Sequence, residues 1–246
     1  MLAVLPGYTC VPAGPGATDP ILLAETLRAN YTWAGKQGAR SVTFLYVPER
    51  EKIPHRALED FGARPVQLRY PTCVMPISFG SIDEYLMQLT GKRRTGLRRL
   101  LRWIDENGMK LDEEDLSDVR EEVLELRMGL LRKYHHSADD KVVQLATLDR
   151  IFRNYPPEDR VLLTVRQRNQ MVGFTLALRH GDVLRGLWCG QRPAARGAYF
   201  LLMFYGRVEA ALRRGLTSIN YGTLQWQEKT SFGCRLEQLA GHTWSL

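Results

Sequence analysis

The chain has 246 residues, a formal net charge of +7 and a 44% hydrophobic fraction, the balance of a globular protein of one large or two modest domains. No apolar run reaches the roughly eighteen residues of a membrane span, and the start lacks a basic stretch and meets Pro6, so neither a spanning helix nor a secretory leader is expected. Cys10, Cys73, Cys189 and Cys234 lie far apart with no Cys-x-x-Cys pair, which argues against a disulfide framework or zinc site and fits a reducing cytoplasm.

Residues 1–77 alternate between strand-like and helix-like text. Residues 2–5 read as a short strand. Asp19 and Pro20 open a helix, the aspartate as cap and the proline in the first turn. Ile21, Ala24, Leu27 and Tyr31 then mark one helical face. Residues 41–47 are a strand stopped by Pro48, residues 55–61 a short helix closed by Gly62, and residues 65–75 an extended piece. This βαβαβ order predicts a small parallel sheet and a half-domain ending near residue 77.

Residues 78–246 read as a second domain. Ser81 and Glu84 form a capping box at the start of a long helical stretch. Gly91 and Gly96 each weaken that stretch by roughly 1 kcal/mol against alanine, so a break near Thr90 is expected. Lys92, Arg93, Arg94, Arg98, Arg99 and Arg102 are interleaved with its apolar positions, and no acid lies between Glu84 and Asp105. Such a local block suits a polyanionic partner, and the Asp112–Asp115 cluster is the alternative partner within the chain. As a helix face it spans about 15 Å, enough to follow several phosphates. Residues 119–134 and 142–155 are two more helices. His135 and His136 between them lack the spacing of metal ligands, so no metal is expected.

Three strands follow, at residues 161–165, 171–178 and 183–189. A loop with Pro193 leads into an amphipathic helix over residues 199–214, closed by Gly215. Residues 218–222 are a short strand, and residues 236–244 a last extended piece available to close the sheet. The helix returns the chain from the third strand to a parallel fourth, leaving a slot between those two strands. The free N–H groups of its first turn, with Arg192 and Arg196 beside them, suit a phosphate.

Two segments carry a resemblance. YLMQLTGKRRTGLRR at residues 85–99 resembles the "YL..L..k.R..lrr" segment of Fem-type acyltransferases of the GNAT superfamily. GLTSINYG at residues 215–222, followed by Lys229-x-x-Phe232-Gly233, resembles that family's "G…dfG….K..fG" ending. The match spans residues 79–244. It implies an α/β, GNAT-type mixed sheet with a β-β-β-α-β core, preceded here by a truncated βαβαβ half-domain. It also implies an enzyme moving an activated acyl group to a substrate amine, such as a natural-product or cell-wall-precursor intermediate. Fem-type members take the acyl group from aminoacyl-tRNA and ordinary GNAT enzymes from coenzyme A. The R/Q-x-x-G-x-G/A pattern of the latter is absent, so charged tRNA is the expected co-substrate and acyl-CoA the alternative, with no further cofactor. A non-catalytic RNA-binding module on the same fold is the reading from another class.

The resemblance places Lys229 where the family has its lysine, as a cation for an oxyanion or phosphate. Glu228 beside it is the candidate base. Tyr205 and Tyr221 are expected to flank the slot. Trp188, Trp226 and Phe232 are candidates to wall the substrate pocket. Lys92, Arg93, Arg94, Arg98, Arg99, Arg192 and Arg196 are the candidates for tRNA or phosphate.

Overall fold

The computed structural model describes residues 19–50, 52–133, 140–195 and 197–245. The strand read at residues 2–5, the loop with His135 and His136, and Arg196 lie outside the described residues. In chain order the elements begin with α1 (Pro20–Lys36), β1 (Ser41–Pro48), α2 (Lys52–Asp60), β2 (Arg64–Gln67) and β3 (Thr72–Pro76). Next come α3 (Ile82–Gln88), α4 (Gly91–Glu106), β4 (Met109–Glu114), α5 (Arg120–Lys133) and α6 (Asp140–Asn154). Then follow β5 (Arg160–Gln167), β6 (Gln170–His180), β7 (Val183–Gln191), α7 (Ala198–Leu201), α8 (Arg207–Arg213) and β8 (Ser218–Asn220). The last are α9 (Trp226–Thr230), β9 (Arg235–Glu237) and β10 (Leu239–Ser245). They divide into two compact units. One holds the residues up to Val74 with Tyr221–Thr230 and the chain from Cys234; the other holds Met75–Asn220 with Ser231–Gly233.

In the first unit Asp19 caps α1, its carboxylate accepting from the Ile21 N–H at 2.8 Å. The buried face of α1 is Leu23, Leu27 and Ala34, whereas Ile21 is 71% exposed. Apolar residues ring the first turn of this helix, so its inward face is chosen by what it packs on: Val47, Ala57, Leu58 and Trp244. The Trp244 indole stacks on Phe44 at 5.7 Å and on Tyr31 at 6.1 Å. β1 and β2 run in the same direction but do not pair. β10 lies between them, antiparallel to both, with Phe44 opposite His242 and Val66 opposite Gly241. The expected parallel sheet is therefore an antiparallel one, because the C-terminal extended piece supplies its middle strand. β9 pairs antiparallel with β3, Cys73 opposite Leu236.

The second unit carries the strand order β4-β5-β6-β7-β8, antiparallel up to β7 and parallel between β7 and β8. β5 and β6 are buried over nearly their whole length, as their continuous apolar text requires. One face of this sheet packs Leu162, Phe174, Leu176 and Trp188 against Val123, Leu126, Leu148 and Ile151 of α5 and α6. The other face meets the crossover helix: a Cβ built at Gly173 would touch Ala198 and Leu202. That crossover runs as α7, a π turn over Leu202–Gly206, and α8, ending at Gly215 with φ +61°. The helical stretch after Ser81 breaks at Leu89, where the backbone is extended, and Thr90 then caps α4 through the Arg93 N–H. Ser81 accepts from the Glu84 N–H, and the Glu84 carboxylate reaches back to the Gly80 N–H at 2.8 Å.

Candidate functional site

α4 borders a groove of about 630 Å³ in the second unit. Its apolar surface comes from Leu97 and Leu100 of α4, Phe200 of the crossover helix, and Phe232. Lys92, Arg93 and Arg99 stand along it. Phe232 is held on two sides. Its ring stacks on Phe204 at 4.0 Å and 6°, and its carbonyl accepts from the Tyr85 hydroxyl at 3.1 Å. The Arg93 guanidinium lies 4.8 Å over the same ring, a cation–π contact. Phe232 and Arg93 both line this groove.

The cations of α4 differ from several other arginines of this unit. Lys92, Arg98, Arg99 and Arg102 are exposed, and among the described residues they make no ion pair. Arg94 donates at 3.4 Å to the Met87 carbonyl. Several guanidinium groups elsewhere in this unit meet carboxylates. Arg166 bridges Glu114 and Glu122, Arg213 and Arg214 share Glu113, and Arg120 meets Asp149. Glu113 and Glu114, from the acidic cluster weighed as a partner for the α4 block, are thus engaged with other arginines, and α4 keeps its charge.

Lys229 is 5% exposed. Its ammonium donates to the Tyr221 carbonyl at 2.6 Å and the Gly222 carbonyl at 3.2 Å. α9 places it there, and the backbone beyond is tied by the Cys234 N–H to the Lys229 carbonyl. The turn it holds is anchored on β3: the Tyr221 N–H donates to the Cys73 carbonyl at 2.8 Å and the Cys73 N–H to the Gly222 carbonyl at 3.1 Å. Burial pushes the Cys73 thiol up, against the pull of Lys229, and burial followed by Cys73 pushes up the Cys234 thiol. Neither thiol is poised as a nucleophile. Glu228 is half-buried and Trp226 is 36% exposed on the same short helix. The Tyr221 side chain is buried in this unit.

In the second unit β7 and β8 pair only from Val183/Ser218 to Arg185/Asn220, and β7 continues to Gln191 along β6. At the parting point Gly186 lies under the guanidinium of Arg207; a Cβ there would fall 1.9 Å from Nη1. Arg207 is 2% exposed, and its Nε donates to the Thr175 hydroxyl at 3.0 Å. Sequence reading missed Arg207. The signal was a glycine inside a strand, which marks a close approach. Tyr205 sits in the π turn just before it, an irregularity common at functional sites. Burial, then Glu209 and Asp83, push its phenol up, so the hydroxyl keeps its proton. Trp188 is 4% exposed in the core against α5, with Arg127 5.5 Å over its ring.

The start of the crossover helix is occupied by protein groups. The Tyr199 N–H donates to the Gln191 side chain at 3.2 Å, and Gly197 lies against Leu100 and Trp103 of α4. Arg192 donates to the Met171 carbonyl and pairs with Glu125 at 3.1 Å. Of the groups expected to hold a phosphate here, the Tyr199 N–H thus meets Gln191 and Arg192 meets Glu125, while Arg196 lies outside the described residues. No helix among the described residues is long and apolar enough to cross a membrane, and no three of their His, Cys, Asp or Glu side chains converge as a metal site.

A family model described as FemAB-like, peptidoglycan biosynthesis/recognition, matches residues 15–244. FemX has a similar structure, with TM-score 0.69 at 13% identity over 93% of this chain and 78% of that one. The C-terminal domain of a putative lysylphosphatidylglycerol synthetase from Agrobacterium fabrum gives 0.64 at 14% identity, over 89% and 72%. The protein described as L-PGS from Bacillus licheniformis gives 0.59 at 14% identity, over 94% and 75%. No curated protein matches the sequence.

Proposed function

This chain belongs to the FemAB-like family of peptidoglycan biosynthesis and recognition, with a mixed α/β fold of GNAT type, and from that premise we propose that it is a tRNA-dependent aminoacyltransferase. The amine of a small acceptor attacks the ester carbonyl of an aminoacyl-tRNA, the tetrahedral oxyanion collapses, and the tRNA 3′ oxygen leaves with the proton the amine gives up. The reaction makes an amide, and the acyl group arrives already activated. Positioning and charge stabilisation therefore supply most of the catalysis.

The observation that carries this reading is the positive charge along α4, where Lys92, Arg98, Arg99 and Arg102 meet no carboxylate among the described residues. Arg94 and Arg98, outside the lining of the groove, are assigned to RNA phosphates together with Lys92, Arg93 and Arg99 on its edge. The same charge supports RNA over coenzyme A. Lys229 holds the turn after β8 through two carbonyls, so its proposed role is to fix that backbone, with its charge contributing at a distance. Tyr205, in the π turn of the crossover, is assigned to orienting the acceptor.

The test is incubation with mixed charged tRNAs and, separately, with acyl-CoA pools, reading the mass of candidate amines. Amide formation that stops on adding ribonuclease supports the reading. Transfer from acyl-CoA insensitive to ribonuclease would replace it with the CoA-dependent one. Salt-sensitive RNA binding without product from either donor would leave an RNA-binding module.

A further inference from the structure

α1 has two faces. One buries Leu23, Leu27 and Ala34. The other meets solvent and carries a shallow groove lined by Glu25, Arg28, Ala29, Thr32, Trp33 and Lys36. All six are exposed, and at about 100° per residue they share roughly 140° of the helix circumference. Trp33 is 49% exposed, and the exposed Ile21 and Leu22 continue the same face toward the helix start. Bare apolar area gathered on one helix face marks a contact surface. The charges on it are also uncommitted: among the described residues Glu25, Arg28 and Lys36 make no ion pair.

This face fits a second copy of itself. Two α1 helices laid antiparallel, with a two-fold axis between residues 30 and 31, bring Glu25 opposite Lys36 of the second copy. Arg28 then meets Trp33 of the second copy, and Ala29 meets its Thr32; symmetry repeats each pair. The spacing of any helix face folds back on itself in this way, but the chemistry here is particular. Glu25 gains an opposite charge, and the Arg28 guanidinium gains an indole ring to lie on. The small Ala29 and Thr32 let the helix axes approach to the usual 8–10 Å or so of packed helices. Ile21 and Leu22 come to lie over the turn that follows Lys36 in the other copy. A membrane surface competes for a face with a tryptophan and two cations. Glu25 in the middle of that face disfavours anionic lipid and favours a partner that presents a cation there.

We propose that the exposed face of α1 is a self-complementary docking surface through which two copies of this chain pair as an antiparallel, two-fold symmetric helix dimer. One helix pair lies at the small end of protein interfaces, so the dimer is reversible, with a Kd of about 10 μM. The transferase reading is not needed for it.

The measurement is sedimentation equilibrium of the full chain from about 1 to about 200 μM, a range that brackets this Kd. We expect the wild type to pass from monomer to dimer across it. Glu25→Lys sets lysine opposite lysine, and Lys36→Glu sets glutamate opposite glutamate; each should weaken pairing by about tenfold or more. An equal mixture of these two variants restores both ion pairs, so it should form a mixed dimer near the wild-type Kd. The chain carrying both substitutions should again pair with itself. Trp33→Ala should weaken pairing by about tenfold or more, and Ala29→Arg, which puts bulk at the closest approach, should leave a monomer. These side chains are exposed, so melting curves should match the wild type, and recovery on mixing is a result that misfolding cannot imitate. A monomer throughout the range, a dimer indifferent to these changes, or a mixture no better than its components would overturn the proposal. So would binding to vesicles of anionic lipid that Lys36→Glu weakens and Glu25→Lys strengthens, since in the dimer both changes act in the same direction.

Discussion

The Lys229 ammonium lies 2.6 Å from the carbonyl oxygen of Tyr221, eight residues earlier in the chain, and 3.2 Å from that of Gly222. A charged donor buried on two carbonyls is a strong clamp. Lys229→Met removes the donor and leaves both carbonyls without it. We expect a loss of about 2 kcal/mol in unfolding free energy, measured by urea titration, together with loss of aminoacyl transfer. Lys229→Arg should recover part of the stability, since it keeps the charge. A Lys229→Met protein as stable as the wild type would remove the clamp from the account.

Gly186 and Arg207 form a lock at the fork of β7 and β8. Gly186→Ala should cost about 2–4 kcal/mol, because the new methyl meets a guanidinium that is itself buried and cannot swing into water. Arg207→Met alone should also destabilise, by removing the donors to Thr175. The double variant should be markedly less than additive, since the added methyl then meets a flexible thioether. Thermal unfolding of the four proteins gives the coupling.

His55 and His242 make the fold acid-sensitive. His55 Nε2 lies 2.9 Å from the Pro48 carbonyl and must donate to it, so His55 Nδ1 accepts from His242 Nε2 at 2.7 Å. His242 Nδ1 is then a buried lone pair with no partner. Burial, then His55, hold the His242 pKa down, and only Glu59 pulls it up. The contribution of His242 is therefore complete above about pH 6.5, where the unfolded imidazole is also neutral. As pH falls below that value the unfolded chain takes up a proton that the folded one refuses, and stability drops. Urea midpoints at pH 8, 6.5 and 5.5 should show the fall, and His242→Gln should flatten it.

Arg166 organises a second pH dependence, at lower pH. It bridges Glu114 at 2.8 Å and Glu122 at 2.7 Å. Burial alone would raise the Glu114 pKa, but its bonds to Arg166 and Thr164 win and hold it down; the Arg166 bond holds Glu122 down as well. Their contribution is complete above the ordinary carboxylate range and is lost as pH falls through the lowered values. Arg166→Met should cost about 2 kcal/mol at pH 7, and the difference from wild type should shrink toward pH 3.

The sequence by itself determined the local elements. Continuous β-branched and apolar text could bury only as strands, which placed β5, β6 and β7. Asp19, Ser81 and Gly215 set helix ends through bonds and backbone angles that involve near neighbours alone. The break at Thr90 followed from Gly91, and the cation block of α4 is visible as text because no acid interrupts it. The groove wall Phe232 was legible only through the family resemblance. Tertiary structure decided which partners these elements met. A strand's text does not name its neighbour, so β10 came to lie between β1 and β2 from the far end of the chain. The inward face of α1 was chosen by Trp244 and Val47, long-range contacts that periodicity does not contain. Gln191 and Glu125 became partners of the Tyr199 N–H and of Arg192, pairings the text does not contain. The buried positions of Lys229 and Arg207 depend on carbonyls and a glycine brought to them only when the chain folds, because a side chain's solvent and charge environment is a property of distance in space.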